Sequence, residues 1–203
     1  MFDPSIYTTR PSFILGYHGC EKNVGEAILS GQQKHLKKSS QDYDWLGEGI
    51  YFWENSPQRA LEFAHDKKAR GEVKEPFILG AVIDLKNCLD FLDRRDVDLL
   101  KKSYEALRNT FDLANVDRES KLEIPQNSLL VDGVTMKRYL DCAVIRKLHT
   151  IAKVEKQTEY DSVRSLFIEG EAPYKGAGFR DKNHIQLCIM NKRCIQGYFR
   201  LID

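Results

Sequence analysis

The chain has 203 residues, enough for one buried core, since a domain of this size hides about 70% of the surface that its unfolded chain exposes. Thirty-one Lys plus Arg residues against 30 Asp plus Glu residues leave a formal charge of +1, and 42% of the residues are hydrophobic. This composition is typical of a globular protein and excludes polyanion binding that is driven by net charge. We therefore expect a single domain over residues 1 to 203.

No apolar run approaches the ~20 residues that a membrane span needs, and the first residues lack the pattern of a signal peptide. The cysteines are widely spaced, form no CxxC pair and lie among apolar neighbours, which favours buried thiols over disulfides or a zinc site. They are Cys20, Cys88, Cys142, Cys188 and Cys194. We expect a soluble cytoplasmic protein that needs no metal and does not contact a membrane.

The N-terminal third alternates predicted strands and helices. Residues 13 to 19 have the apolar pattern of a buried strand, and a short helix is predicted before Gly31. Residues 32 to 44 are polar and rich in lysine, which predicts a surface loop able to cover a ligand. A second strand is predicted within residues 45 to 54.

The middle of the chain begins with a helix signal. Ser56 followed by Pro57 is typical of a helix N-terminus with serine as the capping residue, and the helical pattern ends near Gly71. Residues 76 to 85 form an apolar, β-branched run that predicts a central strand. Residues 92 to 123 are highly charged and are predicted to be helical in part.

The C-terminal half begins with a predicted short strand and turn within residues 128 to 134, followed by the longest predicted helix, residues 140 to 156. Three short β-rich segments end the chain, at residues 163 to 170, 184 to 190 and 194 to 202. Because the elements do not alternate as regular βαβ units, we expect an α+β fold with largely antiparallel strands.

Three segments place polar groups at the ends or on one face of otherwise buried strands. They are Tyr17-His18-Gly19, residues 47 to 52, and residues 184 to 190. In the third segment, alternation puts Leu187 and its neighbours Ile185 and Ile189 on the core face. Gln186 then faces the other way, into a second packing layer or the wall of a cleft.

The order and spacing of these segments, with a helix carrying Ala60 after the second strand, resemble the ADP-ribosyltransferases of the His-Tyr-Glu type. That family includes diphtheria toxin and the poly(ADP-ribose) polymerases. The resemblance implies a split β-sandwich of two packed, mostly antiparallel sheets flanked by helices. It also implies that NAD is a substrate and that ADP-ribose is transferred to an acceptor without a metal.

The resemblance assigns roles to individual residues. It implies that His18 holds a ribose hydroxyl of NAD and that the backbone of Gly19 binds the carboxamide of nicotinamide. It further implies that the ring of Tyr51 stacks on the nicotinamide ring. Gly49 and Phe52 belong to the same predicted cofactor site.

Gln186 stands where the family carries the glutamate that binds the nicotinamide ribose and helps the acceptor to attack. An amide takes no proton, and the missing charge removes about 4 kcal/mol of transition-state stabilisation at an effective dielectric of about 20. Three explanations stay open: the acceptor is already nucleophilic, a loop carboxylate supplies the base, or the protein is inactive. The candidate carboxylates are Glu169, Glu171 and Asp181. Polymer synthesis is disfavoured in each case.

Charged residues outside these strands admit two interpretations. Arg59, on the predicted helix after Tyr51, either pairs with the pyrophosphate of NAD or is a solvated helix arginine. The loop before Gln186 contains basic residues suited to phosphates, and Tyr174 or Phe179 is available to stack on an unpaired base. The acceptor-side candidates are Glu171, Lys175, Arg180, Asp181 and His184.

The resemblance predicts a mono-ADP-ribosyltransferase that modifies a macromolecule, either RNA, DNA or protein. It suggests an intracellular toxin or phage-defence effector, with an antitoxin or another neutralising protein as partner. Two alternatives stay open. One is a catalytically silent domain that binds NAD or ADP-ribose, and the other is a nucleic-acid-binding domain on the same scaffold.

Overall fold

The computed structural model describes residues 13 to 116, 118, 119, 121 to 128 and 137 to 202. In this part of the chain the strands are β1 (Ile14–Glu21), β2 (Ile50–Glu54), β3 (Pro76–Ile83), β4 (Cys88–Asp90), β5 (Ser162–Phe167), β6 (His184–Ile189) and β7 (Ile195–Arg200). The helices are α1 (Lys22–Leu29), α2 (Pro57–Ala69), α3 (Arg94–Ala114) and α4 (Tyr139–Val154). The predicted strand and turn within residues 128 to 134 lie, apart from residue 128, outside the described residues.

The seven strands form one sheet in the order β4-β5-β6-β2-β1-β3-β7. Strands β4 and β5 are parallel and the other neighbouring pairs are antiparallel, which agrees with the predicted α+β class. The prediction of two separate sheets is corrected, because hydrogen bonds join all seven strands into one. The predicted central strand, β3, is bonded on both sides but lies next to the edge strand β7.

The two halves of the sheet meet at a short join between β1 and β2. These strands pair only at Gly16 with Glu54 and at Tyr17 with Trp53, whereas β1 and β3 pair along the whole of β1. Past Tyr17 the ladder between β1 and β2 stops. Where strands separate, their polar groups need other partners, so this join is a natural place for a ligand.

Hydrophobic side chains pack against both faces of the sheet in two clusters. Strand β6 shows the division, since Leu187 and Ile189 lie in a first cluster with side chains of β1, β3 and α1. Cys188 lies in a second cluster with side chains of α3 and α4. The predicted alternation along β6 is therefore confirmed. Burial of a fully inaccessible side chain such as Leu187 stabilises the fold by roughly 1.5–3 kcal/mol.

The helices agree with the sequence predictions in place but not in every detail. Helix α2 begins at Pro57 after Ser56, as predicted, but the Ser56 side chain makes no capping hydrogen bond. Helix α3 has 21 residues and α4 has 16, so the prediction that α4 is the longest helix is wrong. Charged residues obscure the periodicity of α3, in which only Ser103 and Leu107 are buried.

All five cysteines are buried free thiols, as the sequence predicts. Burial raises the pKa of Cys20 to about 11 and the pKa of Cys194 to about 12. These thiols stay protonated at neutral pH, which fits a packing role rather than a nucleophilic one. None of the described helices is long and apolar enough to cross a membrane.

Candidate functional site

A cleft of about 240 Å³ opens beside the join between β1 and β2. Three predicted residues from three strands line it: His18 of β1, Tyr51 of β2 and Gln186 of β6. Further predicted residues in its wall are Gly49, Arg59 and His184. Folding therefore brings together most of the residues that the sequence assigns to one site.

The His18 ring fills the place where the β1–β2 ladder ends. Its Nδ1 lies 2.7 Å from the backbone oxygen of Tyr51, and since a carbonyl only accepts, Nδ1 carries the proton and donates it to that bond. Burial, opposed in part by this hydrogen bond, lowers the pKa of His18 to about 4. The ring is therefore neutral at pH 7, and its Nε2 is a hydrogen-bond acceptor.

The Tyr51 side chain is fixed by the turn that precedes its own strand. Its hydroxyl donates to the backbone oxygen of Gly47 at 2.7 Å and accepts from the backbone nitrogen of Leu46 at 3.2 Å. Gly47 has a φ of +86°, a conformation that favours glycine. Burial raises the pKa of Tyr51, so the hydroxyl stays protonated and Tyr51 presents its ring, not a base, to the cleft.

The Gln186 side chain is held by an indole that the sequence analysis did not identify. Trp45 Nε1 donates a hydrogen bond to Gln186 Oε1. The amide oxygen thus has a partner, whereas no hydrogen bond from the described residues engages the NH₂ group of Gln186, which is available as a donor. Trp45 lines the cleft, and its ring meets that of Phe167 edge to face, with 5.1 Å between the centroids. The position of Trp45 just before the Gly47 turn is the only sequence signal for it.

Two predicted cofactor residues have other roles in the fold. Phe52 is fully buried in the first cluster and does not line the cleft, so a ligand there does not reach its side chain. Gly19 is not among the lining residues either. A Cβ at this position would come within 2.1 Å of the Ala60 backbone oxygen, so close packing of α2 explains the glycine.

Arg59 is 7% exposed, so the interpretation as a solvated helix arginine is wrong. Its Nη2 lies 2.8 Å from Glu169 Oε2, and its Nη1 pairs with Glu62. Two carboxylates thus balance the charge of one guanidinium, which explains how it is tolerated inside the protein, although Nε has no hydrogen-bond partner among the described residues. The same pairing leaves Arg59 less available to a pyrophosphate.

His184 is a residue of the cleft wall rather than of an outer acceptor surface. It is 6% exposed, and its ring stacks on Phe167 with 5.3 Å between centroids. Its Nδ1 lies 2.8 Å from the backbone oxygen of Lys182 and 4.0 Å from Glu169 Oε2. Desolvation lowers the pKa of His184, so the ring is neutral at pH 7.

The other predicted acceptor-side residues lie in the loop over residues 168 to 183 and do not line the cleft. Glu171 and Asp181 link the two ends of this loop by hydrogen bonds. Glu171 N donates to Asp181 Oδ1 at 2.9 Å, and Asp181 N donates to Glu171 O at 3.0 Å. Lys175 is exposed and Arg180 is half-buried. Of the three loop carboxylates considered as bases, Glu169 is the one that lines the cleft.

Helix α2 contributes two residues to the cleft besides the predicted Arg59. Arg59, Phe63 and Lys67 recur every fourth residue, and all three line the cleft. The Lys67 ammonium lies 4.9 Å from the Phe63 ring centroid and forms no ion pair with a carboxylate of the described residues. The spacing of Lys67, one helical turn after Phe63 and two after Arg59, is the sequence signal for this contribution.

The predicted covering loop, residues 32 to 44, is attached to the cleft. Ser39 N donates to Gly49 O at 2.8 Å, and Gly49 N donates to Ser39 O at 3.1 Å. Lys37 and Asp44 of this loop line the cleft. The loop therefore contributes to the wall of the cleft, in addition to the residues of α2.

A second cavity, of about 480 Å³, shares Trp45 with the cleft. Its lining is largely hydrophobic and comes from α3, α4 and β5, with Leu100, Val144 and Leu166 as examples. Among the described residues, no three His, Cys, Asp or Glu side chains are grouped so that they could hold a metal ion. Polar side chains from several elements meet in the first cleft, among them His18, Arg59 and Gln186. This favours the first cleft over the second cavity as the functional site.

Comparison with known proteins assigns no family to the chain. No family model and no solved structure matches it. The uncharacterized protein MJ0359 of Methanocaldococcus jannaschii is 24% identical over 195 residues, which cover 89% of this chain and 83% of the relative. The similarity extends over most of both chains and says nothing about function.

Proposed function

We propose that the protein is a mono-ADP-ribosyltransferase that moves ADP-ribose from NAD to a macromolecular acceptor. The observation that carries the proposal is that His18, Tyr51 and Gln186, from three strands, line one cleft beside the join of the sheet. Each residue alone has an ordinary structural explanation. Their convergence in the order expected for the His-Tyr-Glu type supports a shared chemical role.

The side chains of the cleft suit separate parts of NAD. Tyr51 has its hydroxyl bonded within the protein and offers an aromatic face to the flat, cationic nicotinamide ring. The neutral His18 ring has Nε2 free to accept a hydrogen bond from a ribose hydroxyl. The Lys67 ammonium offers a positive charge to the pyrophosphate. A volume of about 240 Å³ suits nicotinamide with its ribose, so the pyrophosphate would lie at the edge of the cleft and the adenosine outside it.

The reaction is a substitution at the anomeric carbon of the nicotinamide ribose. The bond to the nicotinamide nitrogen breaks, its electron pair returns to the ring, and neutral nicotinamide leaves through an oxocarbenium-like transition state. An acceptor nucleophile then forms the new bond. His18 and Gln186 act by orienting the ribose, and Tyr51 acts by holding the leaving group.

Gln186 limits the product to a single unit. Its amide presents N–H donors to the cleft because Trp45 occupies the oxygen. An amide carries no charge and takes no proton, so the position that holds the glutamate in the His-Tyr-Glu type cannot both bind and activate a ribose hydroxyl of ADP-ribose for chain growth. The same amide favours a second candidate function, a domain that binds NAD without cleaving it.

Nucleic acid is the acceptor that the surface favours. In the loop over residues 168 to 183, Tyr174 is 61% exposed and Phe179 is 69% exposed. Lys175 and Arg180 lie beside these aromatic side chains in sequence. Exposed aromatics next to cations suit stacking on unpaired bases with contacts to phosphates.

Incubation of the purified protein with NAD labelled in the adenylate part, in a whole-cell lysate, tests the proposal. We expect labelled product that resists protease and is lost on nuclease digestion, together with release of nicotinamide. Label that is lost on protease digestion instead would identify a protein acceptor. NAD binding without nicotinamide release would support the silent binder and overturn the transferase.

Tyr51→Ala is the matched variant for this assay. It removes the ring that we assign to nicotinamide, and we expect both NAD binding and labelling to be lost while circular dichroism shows an intact fold. Leu166→Ala, at an exposed position of β5 outside the cleft, serves as the control. A folded Tyr51→Ala protein with full labelling would contradict the assignment.

A further inference from the structure

We propose that Glu169 is the catalytic carboxylate of this site and accepts the proton of the acceptor nucleophile. This inference rests on the proposed transferase function and names the group that replaces the missing carboxylate at Gln186. Glu169 follows β5 by two residues, at the start of the loop over residues 168 to 183. It lines the same cleft as Gln186 but follows β5, the strand that pairs with β6.

The Glu169 carboxylate is held in place with one oxygen to spare. Its side chain is 17% exposed, and Oε2 accepts from Arg59 Nη2 at 2.8 Å. No hydrogen bond from the described residues reaches Oε1. The backbone is fixed as well, because Glu169 N donates to Asn183 Oδ1 at 3.2 Å and Glu169 O accepts from Lys182 N at 3.3 Å. A carboxylate fixed through one oxygen and open at the other is suited to take a proton.

The remaining carboxylates near the site are engaged elsewhere. Glu171 and Asp181 bond each other's segments and do not line the cleft. Asp44 lines the cleft, but its Oδ2 accepts from Gln41 N at 2.6 Å, and a hydrogen bond from Ser39 also reaches its carboxyl group. Asp44 therefore closes a turn of the covering loop, whereas the Glu169 carboxylate is held through Oε2 and no hydrogen bond from the described residues reaches its Oε1.

The step balances without a further reactant. The acceptor oxygen or nitrogen forms a bond to the anomeric carbon as the bond to nicotinamide breaks and its electron pair returns to the leaving ring. The proton of the acceptor moves to Glu169 Oε1. Release of that proton to water restores the carboxylate, and the products are ADP-ribosylated acceptor and nicotinamide.

Glu62 provides a matched control, because it also pairs with Arg59 but does not line the cleft. We expect Glu169→Gln to lower the transfer rate at least about 100-fold, the usual size of a general-base effect, with NAD affinity within about twofold of wild type. Glu62→Gln should stay within about threefold. Equal losses of rate in Glu169→Gln and Glu62→Gln would assign Glu169 a structural role through Arg59 and overturn the proposal. A loss of about 100-fold in Asp44→Asn with none in Glu169→Gln would also overturn it, because Asp44 would then be the base.

Rescue by azide is a second test, because azide would not restore activity if Glu169 had only a structural role. It is an anion with no proton to lose, so its attack on the anomeric carbon needs no base. We expect azide to restore nicotinamide release by Glu169→Ala at least about tenfold and to yield ADP-ribosyl azide. Absence of this rescue in a folded variant that binds NAD would overturn the base role.

The proposed function and this inference fail in different ways. A wild-type protein that releases no nicotinamide and transfers no label contradicts the transferase itself. An active wild-type protein whose Glu169→Gln variant is equally active contradicts only the role of Glu169.

Discussion

Trp45 Nε1 donates a hydrogen bond to Gln186 Oε1, and this contact decides which end of the amide faces the cleft. The indole is itself held, because the Arg138 guanidinium lies 4.6 Å from its ring centroid and the Phe167 ring meets it edge to face. A residue outside the three predicted motifs therefore sets the chemistry of Gln186.

Trp45→Phe tests that contact, because it removes the indole N–H and keeps an aromatic ring. Loss of one hydrogen bond to a group that orients the ribose costs about 1.5 kcal/mol, so we expect the rate of nicotinamide release to fall about tenfold. Trp53→Phe is the comparison, since the Trp53 indole nitrogen has no hydrogen-bond partner among the described residues. A loss as large in Trp53→Phe would show that ring packing, not the hydrogen bond, is responsible.

Lys67→Ala tests the assignment of a phosphate contact. The ammonium lies in the cleft wall without a carboxylate partner among the described residues, so its loss should weaken NAD binding about fivefold to tenfold. Nicotinamide riboside lacks the pyrophosphate, and its affinity should not change. Calorimetric titration of both ligands measures the difference, with the exposed Lys68→Ala as control. Equal weakening of the two ligands would rule out a pyrophosphate contact.

The lowered pKa of His18 predicts that the folded protein is less stable in acid. Its pKa is lowered by burial from 6.5 to about 4, so the unfolded chain binds more protons than the folded protein between these values. The free energy of unfolding should therefore fall as the pH falls from 6.5 toward 4. His184 and His149 also have lowered pKa values for the same reason and add to this slope.

Urea denaturation at pH 7 and pH 5 measures this effect. We expect the midpoint to drop between these pH values in the wild type and to drop less in His18→Gln, which has no titrating group at this position. The same decrease in both proteins would mean that His18 contributes nothing to the acid sensitivity.

The sequence predicts strand positions and the faces of β6 well, because alternation along Leu187 and Ile189 is a local pattern. It predicts His18, Tyr51 and Gln186 as a set only through resemblance to a family. It fails at Arg59, whose burial depends on Glu169, a residue 110 positions away. The tertiary fold brings such distant partners together, as it does Arg59 with Glu169 and Trp45 with Gln186. No local sequence pattern around Arg59 or Trp45 predicts these contacts.

The Arg164 side chain connects several strands of the sheet. It lies on the sheet face opposite to the face that carries Gln186. It donates to both carboxylate oxygens of Glu54, at 2.7 and 2.9 Å, and to Asp90 Oδ2 at 3.1 Å. The three side chains are about nine-tenths buried. They tie β5 to β4 and, across β6, to β2. The two carboxylates raise the pKa of Arg164, so its charge is permanent.

Arg164→Met should therefore destabilise the protein by about 3–5 kcal/mol, because it leaves two buried carboxylates without their partner. Arg200→Met is the matched control, since Arg200 also bonds both oxygens of a glutamate, Glu26, but at an exposed position. We expect a much smaller change there, because water screens and solvates exposed pairs. Guanidinium denaturation of the three proteins measures the difference. Similar losses in both variants would show that burial adds nothing to the Arg164 contacts, and that other interactions hold β2, β4 and β5 together.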